Sequence, residues 1–339
     1  SPQGAVIEII GNPGELNVEM NSILSEFGFP SRFPNPVLSD LETIENPNHD
    51  KEAKKRRDFR KVTTFTIDPL DAKDFDDALS FKELDNETIE IGVHIADVGH
   101  FVKENTIIDK EAFERGNSVY LVDRVIPMLP EKLSNVLCSL RPKEDKLTFS
   151  VVFKIKKSGE IIDNWFGKTV IHSDQRFTYE QAQEIIEGKD HTYSKELNTL
   201  NSLARIIRSK RLDDGALNIE SSEVKFKLNE KGTPVGTYLK VSKEAHQLVE
   251  EFMLLANKYV AIKMGKPEKN KLISPFIYRI HDDPNEEKLN DLKIYLHSMG
   301  YELIRTKNKP ISFSLNEVME KAKKRKELQL VSPLSLIHI

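Results

Sequence analysis

Five aspartates, Asp68, Asp71, Asp74, Asp76 and Asp77, fall within ten residues, between two stretches rich in β-forming side chains at 62–67 and 78–81. Carboxylates this close repel one another. A folded chain keeps them together only where a cation sits among them or where some stay protonated. They cannot join an apolar core, yet Ile67, Leu70 and Phe75 interrupt them and strand-like sequence flanks them, which argues against a merely solvated surface run. The segment therefore reads as a loop between strands, anchored by core at both ends. Hard divalent cations such as magnesium take oxygen ligands, commonly a few carboxylates together with substrate phosphates. The pattern points to a magnesium site built to receive a phosphate.

Other acidic motifs fit less well. A calcium-binding EF-hand loop needs glycine at its sixth position and a bidentate glutamate at its twelfth. Counted from Asp68, those positions hold Lys73 and Leu79. The acidic motifs of prenyl synthases lie on helices and come in pairs, whereas this one is single and sits among strands. Two-metal phosphoryl chemistry remains, in which two ions clamp the attacking and leaving oxygens of an in-line displacement.

The rest of the chain supplies a framework of strands first and helices later. Residues 89–95 alternate apolar and polar, and further strands are expected at 148–155, 161–171, 224–228 and 235–241. Thr178-x-x-Gln181 is a capping box that opens a helix over 179–187, ended by Gly188. Helical spacing of Leu197, Leu200, Leu203 and Ile207, of Leu248, Phe252, Leu255 and Tyr259, and of Leu289, Leu292 and Leu296 marks three more. Ser314-x-x-Glu317 is expected to cap a fifth. The class is α+β: a mixed or antiparallel sheet with packed helices. Near the start, 4–11 reads as a strand, 17–28 as a short helix stopped by Gly28 and Pro30, and 29–47, with its four prolines, as an extended connector. The main domain is expected to begin near Lys54, and both ends look cut, so the chain reads as a fragment.

Bulk properties narrow the setting. A composition 38% apolar and 31% charged is ordinary for a globular protein, and no apolar run reaches the roughly 18 residues of a membrane span. The one cysteine, Cys138, excludes an internal disulfide and any multi-cysteine zinc site; it reads as a small core residue, and a reducing cytoplasm fits it. Net charge is −4, so nucleic-acid binding would need a local basic channel. Lys51, Lys54, Lys55, Arg56, Arg57, Arg60 and Lys61, just before the aspartates, are evenly balanced between such a channel and a solvated face. The later cluster of Lys321, Lys323, Lys324, Arg325 and Lys326 reads as a solvated helix face.

Several motifs in fixed order carry a resemblance. Arg57-Asp58-Phe59-Arg60 is followed by T-I-D-P-L-D-A-K-D-F-D-D-A from Thr66 to Ala78, and by His94-Ile95-Ala96-Asp97-Val98. Next come Tyr120-Leu121, Ile126-Pro127-Met128-Leu129-Pro130, Leu133-Ser134 and Leu137-Cys138-Ser139-Leu140. Together with Tyr278 to Pro284 and the helix from His246 to Asn257, this order resembles the catalytic domain of the ribonuclease II / ribonuclease R family, closer to the ribonuclease R branch. The likeness covers about residues 1–330. It implies that residues 1–48 are the end of a cold-shock or OB-type β-barrel domain plus linker, and 49–339 an exoribonuclease catalytic domain truncated at its C-terminus. The implied activity is magnesium-dependent, processive 3′→5′ hydrolysis of single-stranded RNA to nucleoside 5′-monophosphates. The implied magnesium residues are Asp68, Asp74, Asp76 and Asp77, with Asp76 positioning water or a second ion and the other three as direct ligands; Asp71 falls at a variable place. An arginine that holds the scissile phosphate in the family, and its C-terminal OB-type domain, would lie beyond residue 339.

The resemblance also implies an RNA clamp. Tyr120 matches the aromatic that stacks near the RNA 3′ end, with a half-buried strand tyrosine as the competing reading. Its usual partner, a phenylalanine in a Gly-x-x-Phe-Glu context, is replaced by Ile219, which can wedge against a base but cannot stack. His246, Glu250 and Asn257 share a helix face that solvent exposure explains as well as RNA contact. For His94 and Asp97 a polar core role is favoured over support of the site, and His281, Asp282 and Asp283 read as a capped loop. The rival readings are a catalytically inactive RNA-binding module and another magnesium phosphohydrolase acting on nucleotides or DNA. A monomer is the default, with single-stranded RNA as the expected partner.

Overall fold

The computed structural model describes residues 4–6, 9–218, 223–229, 232–265, 275–280, 284–304, 309–328 and 330–331. The chain opens with α1 (Leu16–Glu26), which stops two residues before Gly28 at φ +73°, and α2 (Asn35–Glu42). A short α3 (His49–Ala53), capped by Asn48, and β1 (Arg57–Asp58) lead into β2 (Thr63–Asp68), β3 (Asp77–Glu83) and β4 (Thr88–Ala96). Two helices, α4 (Val98–Phe101) and α5 (Ile107–Arg115), precede a small hairpin of β5 (Val119–Tyr120) and β6 (Val125–Ile126). A π-helical turn (Lys132–Leu137) leads to the long strands β7 (Asp145–Lys156) and β8 (Ile161–His172), then β9 (Gln175–Thr178). Helices α6 (Tyr179–Ile186) and α7 (Ser194–Asp213) follow, then the hairpin β10 (Glu223–Leu228) and β11 (Pro234–Lys240). The chain continues through α8 (Glu244–Gly265), α9 (Glu286–Ser298) and α10 (Ile311–Lys324).

Seven strands form one mixed sheet in the order β1-β8-β7-β4-β3-β2-β9, parallel at the two edge pairs and antiparallel between. Alternation along the strands sends side chains to two different cores. On one face Phe65, Leu79, Ile91, Val93, Val151 and Phe153 pack against α6, α7 and α8. On the other, Ala78, Ala96, Val152 and Ile171 meet α2, α5 and the π-helical turn. Each fully buried leucine or phenylalanine contributes about 1.5–3 kcal/mol, so both faces fix the sheet. A third, separate core joins α9 to α10 through Leu292, Leu296, Leu315 and Val318. Among the described residues no helix is long and apolar enough to cross a membrane.

Most expected elements are present, and the capping box is complete: the Thr178 side chain accepts from Gln181 N at 3.1 Å while Thr178 N donates to the Gln181 side chain at 3.0 Å. Three local expectations fail. The connector 29–47 contains α2, because prolines are tolerated in a first helical turn, where their missing N–H has no partner to lose; Pro36 lies there, and Val37 and Leu41 bury one face. Helix α10 begins at Ile311 rather than at a Ser314 cap; Ser314 lies inside it, its hydroxyl bonded to Ile304 O, because Leu315, Val318 and Met319 need the preceding turn to bury their stripe. Of the strand expected over 4–11, the described residues 4–6 and 9–11 have no strand pairing, and residues 7 and 8 lie outside the described residues.

A polar seam runs through the second core. His94 Nδ1 meets Ser150 Oγ at 2.6 Å, and Ser150 Oγ meets Thr169 Oγ1 at 2.5 Å. Burial pushes the His94 imidazole down to about 3, so it is neutral at working pH. The polar-core reading of His94 therefore holds, although its Nε2 has no hydrogen-bond partner. Gly92 makes room for the ring: a Cβ there would lie 2.4 Å from both His94 Nε2 and Ser80 Oγ. Gly92→Ala is expected to cost about 1–3 kcal/mol through overpacking, read as a lower Tm in thermal unfolding.

Candidate functional site

Strands β2 and β3 pair only from Thr63↔Phe81 to Phe65↔Leu79. Beyond that register the ladder opens, and residues 69–76 fill the wedge. Asp68 ends β2 and is paired to Thr178 of β9; Asp77 starts β3 opposite Ile95 of β4. The outer aspartates are thus fixed by the sheet itself.

The loop between them is tied by its backbone. Phe75 N donates to Ser139 Oγ at 3.0 Å, and Ser139 Oγ donates to Lys73 O at 3.0 Å. Leu140 N donates to Phe75 O at 2.8 Å, and Ala96 N donates to Asp76 O at 3.0 Å. On the opposite side Arg176 donates from Nη2 to Pro69 O and, at 3.1 Å, to Leu70 O, with its guanidinium 5.4 Å from the centroid of the Phe75 ring. These bonds leave the loop's carboxylates free while fixing the chain that carries them. They also account for Leu137-Cys138-Ser139-Leu140 as a motif: its serine and the following amide hold the acidic loop.

The electrostatics are those of anions held together against repulsion. Burial, then the charges of Asp77 and Asp76, pushes Asp68 up to about 7. Burial and the neighbouring Asp76 charge raise Asp77 to about 6, and burial with Asp74 raises Asp76. Asp68 Oδ2 is buried without a hydrogen-bond partner. Among the described residues no group of three or more His, Cys, Asp or Glu side chains is arranged to hold a metal ion. The donor set nevertheless suits one: hard oxygen ligands, an orphaned buried carboxylate oxygen, and acidities that a cation would reverse. Asp68, Asp76 and Asp77 carry the raised pKa values, and Asp74 is the neighbouring charge that raises Asp76.

Tyr120 is 72% exposed at the tip of the β5–β6 hairpin, which removes the half-buried strand reading. Burial, then the charges of Asp74 and Asp76, raises its phenol, so Tyr120 lies within electrostatic reach of the acidic loop. Ile219 lies outside the described residues, as do His281, Asp282 and Asp283. Two residues escaped the sequence reading. Arg176 is the loop's clamp. Tyr179, stacked on His246 at 4.0 Å, has its phenol pushed to about 12 by burial and then by Asp77 and Asp68. Only its place directly after the capping threonine could have signalled it.

The arginines before the loop are consumed internally. Arg56 is buried between Glu52 and Asp97, at 3.1 and 2.7 Å; Arg57 holds Glu90 at 2.7 Å; Arg60 reaches Asp50, Asp58 and Asp145. That half of the basic cluster is a structural network, which leaves Lys51, Lys54, Lys55 and Lys61 as its exposed cations. Asp97 belongs to the same network. Although burial opposes its ionisation, Arg56 and Lys168 hold it below the usual carboxylate range. Cys138 is buried in the second core, its thiol pushed to about 12 chiefly by burial.

Comparison with known proteins places this arrangement. The sequence matches the RNB domain model over residues 56–337 and a cold shock domain model over residues 1–34. It is 38% identical over 327 residues to Ribonuclease R 1 of Lactococcus lactis subsp. lactis (strain IL1403), covering 95% of this chain and 39% of that protein. It is 40% identical over 340 residues to DIS3-like exonuclease 2 of Xenopus tropicalis, covering 94% and 40%. The fold matches Mycoplasma genitalium RNase R, solved in complex with ribose methylated single-stranded RNA, with a TM-score of 0.88 at 25% identity, over 97% of this chain and 51% of that one. The chain spans about two-fifths of the length of these curated relatives.

Two predictions follow from the loop's geometry and charge. Asp68 titrates near 7 in the fold against about 3.8 in an unfolded chain. The folded state therefore binds the extra proton, and stability falls as pH rises from about 4 to about 7, by about 4 kcal/mol at most. Asp68→Asn should raise the Tm of metal-free protein at pH 8 and abolish the Tm gain that magnesium gives the parent; equal melting of the two proteins would contradict the assignment. Arg176→Ala should speed hydrogen exchange at the Ala72 and Phe75 amides while the central strands keep their protection.

Proposed function

The chain belongs to the RNB-domain family, and from that premise we propose that it carries the catalytic centre of a magnesium-dependent 3′→5′ exoribonuclease, hydrolysing single-stranded RNA to nucleoside 5′-monophosphates. The observation that carries this reading is the pinned loop of raised-pKa carboxylates between β2 and β3. On this reading residues 1–48 are the end of a cold-shock-type module and its linker, with α2 docked on the catalytic sheet, and 49–339 are the catalytic domain.

Asp68, Asp74 and Asp77 would hold the metal directly and Asp76 would position water or a second ion. Magnesium bound there supplies a water of lowered pKa and offsets charge at the phosphorus. The chain's own groups do the rest. The hydrogen bonds from Ser139, Leu140, Ala96 and Arg176 fix the loop beforehand, so no ordering is left for the moment of binding. Tyr120, exposed and within electrostatic reach of Asp74 and Asp76, would offer its face to a terminal base, a contact worth about 1–3 kcal/mol. Ile219, at the place of the family's second aromatic, would wedge rather than stack. The buried thiol of Cys138 takes no part.

The test uses 5′-labelled poly(A) with the intact protein. The reading predicts progressive shortening to nucleoside 5′-monophosphates that stops in EDTA. Asp76→Asn is expected to slow it by about 100-fold or more while RNA binding persists. Binding without shortening in the parent would instead support an inactive RNA-binding module. Equal cleavage of DNA would point to a different phosphohydrolase.

A further inference from the structure

Tyr120 is carried by an element that cannot support itself. Its hairpin has two residue pairs, Val119↔Ile126 and Tyr120↔Val125, and stands apart from the seven-stranded sheet. A two-stranded hairpin is marginal alone even at greater length. Tyr120 and Val125 are exposed, and of the four paired side chains only Ile126 is buried. The position of the Tyr120 ring is therefore set by whatever holds the hairpin from outside.

Two arginines do so, and both reach the N-terminal segment. At the stem, the buried Arg115, last residue of α5, donates from Nη1 to Pro127 O at 3.4 Å, directly after β6, and to Pro30 O at 3.2 Å. Its Nη2 donates to Arg32 O at 2.8 Å, its Nε meets Glu111 at 2.8 Å, and its guanidinium lies 3.8 Å from the centroid of the Phe33 ring. A guanidinium suits this junction because it presents five donors in one fixed plane. At the tip, Leu121 N donates to Arg124 O at 2.8 Å and closes the turn. Asp123 holds the Arg124 guanidinium at 2.5 Å, and Arg124 Nη1 donates to Asn17 Oδ1 of α1 at 2.5 Å. The turn between β10 and β11 also approaches: a Cβ added at Gly232 would lie 3.8 Å from Asp123 Cβ, an ordinary van der Waals contact. Residues 17–33 are thus bonded to the hairpin at both its tip and its stem.

We infer that Arg115 and Arg124 are positioning residues for Tyr120: they tie its hairpin to residues 17–33, so that the end of the N-terminal module sets where a terminal base can stack. The inference rests on the RNA-binding role of Tyr120 in the reading above. Residues 1–34 match the cold shock domain model, so a shift of that module reaches the hairpin through these two side chains. The hydrogen bonds that pin the acidic loop involve neither arginine. The coupling acts on the strand's end and leaves the metal ligands alone.

The test measures binding of 5′-labelled poly(A) to the intact protein in EDTA, so that no strand is consumed. Tyr120→Ala is expected to weaken binding about 5- to 100-fold. Arg115→Met, and Asn17→Ala, which removes the acceptor of Arg124, are each expected to weaken it about 2- to 20-fold. Neither should add to the loss when combined with Tyr120→Ala, because residues that act through one contact are not additive. Hydrogen exchange at the Leu121 amide should quicken in both variants while the amides of β4 and β7 keep their protection. The Tm gain from magnesium should match that of the parent. Asn17 is exposed, so Asn17→Ala keeps the test decisive should Arg115→Met fail to fold. Losses that add fully to that of Tyr120→Ala overturn the inference, and so do parental affinity and parental Leu121 exchange in Asn17→Ala. The two proposals fail separately. Weakening by Tyr120→Ala without weakening by the other variants removes only the positioning role, whereas parental affinity in Tyr120→Ala removes Tyr120 from the proposed function and the inference with it.

Discussion

Everything at the candidate site depends on where the ladder between β2 and β3 ends. Had pairing run past Phe65↔Leu79, the aspartates would be strand residues, alternating between two apolar cores where ionised carboxylates have no place. Because it stops there, the chain opens into a wedge whose two ends are still locked into a seven-stranded sheet. The wedge is stiff at its roots and needs only a few hydrogen bonds to be stiff throughout. Ser139, Leu140, Ala96 and Arg176 supply them, each bonding to backbone and none to a loop carboxylate.

That division of labour has a thermodynamic consequence. Several backbone groups of the loop are bonded, whereas its carboxylates are left partly desolvated and close enough to repel one another, which raises Asp68, Asp76 and Asp77. The same groups that oppose the fold above neutral pH become favourable when a divalent cation lies among them. Stability of the metal-free fold and affinity for the cation are then two sides of one electrostatic arrangement, and substitutions that help the first weaken the second.

Much of the architecture was legible in the sequence because its signals were local. Alternation at 89–95, the Thr178/Gln181 box and leucines at helical spacing each specify an element without reference to distant residues, and the α+β class follows from their order. The failures came where a tertiary surface overrides a local cue. Prolines suggested an extended connector, but Val37 and Leu41 had a core to enter. Ser314 had the spacing of a cap, but the stripe of α10 needed another turn. At the site the aspartates announced themselves by density. Arg176 did not, since one arginine on a four-residue strand carries no local signal and acquires its role only by lying beside Pro69 and Leu70, more than a hundred residues earlier in the chain. The arginines at 56, 57 and 60 mislead in the opposite sense: their density suggests a basic patch, and only the fold brings Asp97, Glu90 and Asp145 to neutralise them.

The most direct test of the account is anomalous diffraction from crystals of the protein grown or soaked in manganese. The account predicts at least one strong anomalous peak beside the Asp68 and Asp77 carboxylates, at about 2.0–2.2 Å, the distance expected for a magnesium-like ion on oxygen ligands. A map with manganese bound elsewhere on the molecule and no peak in the wedge between β2 and β3 would contradict it.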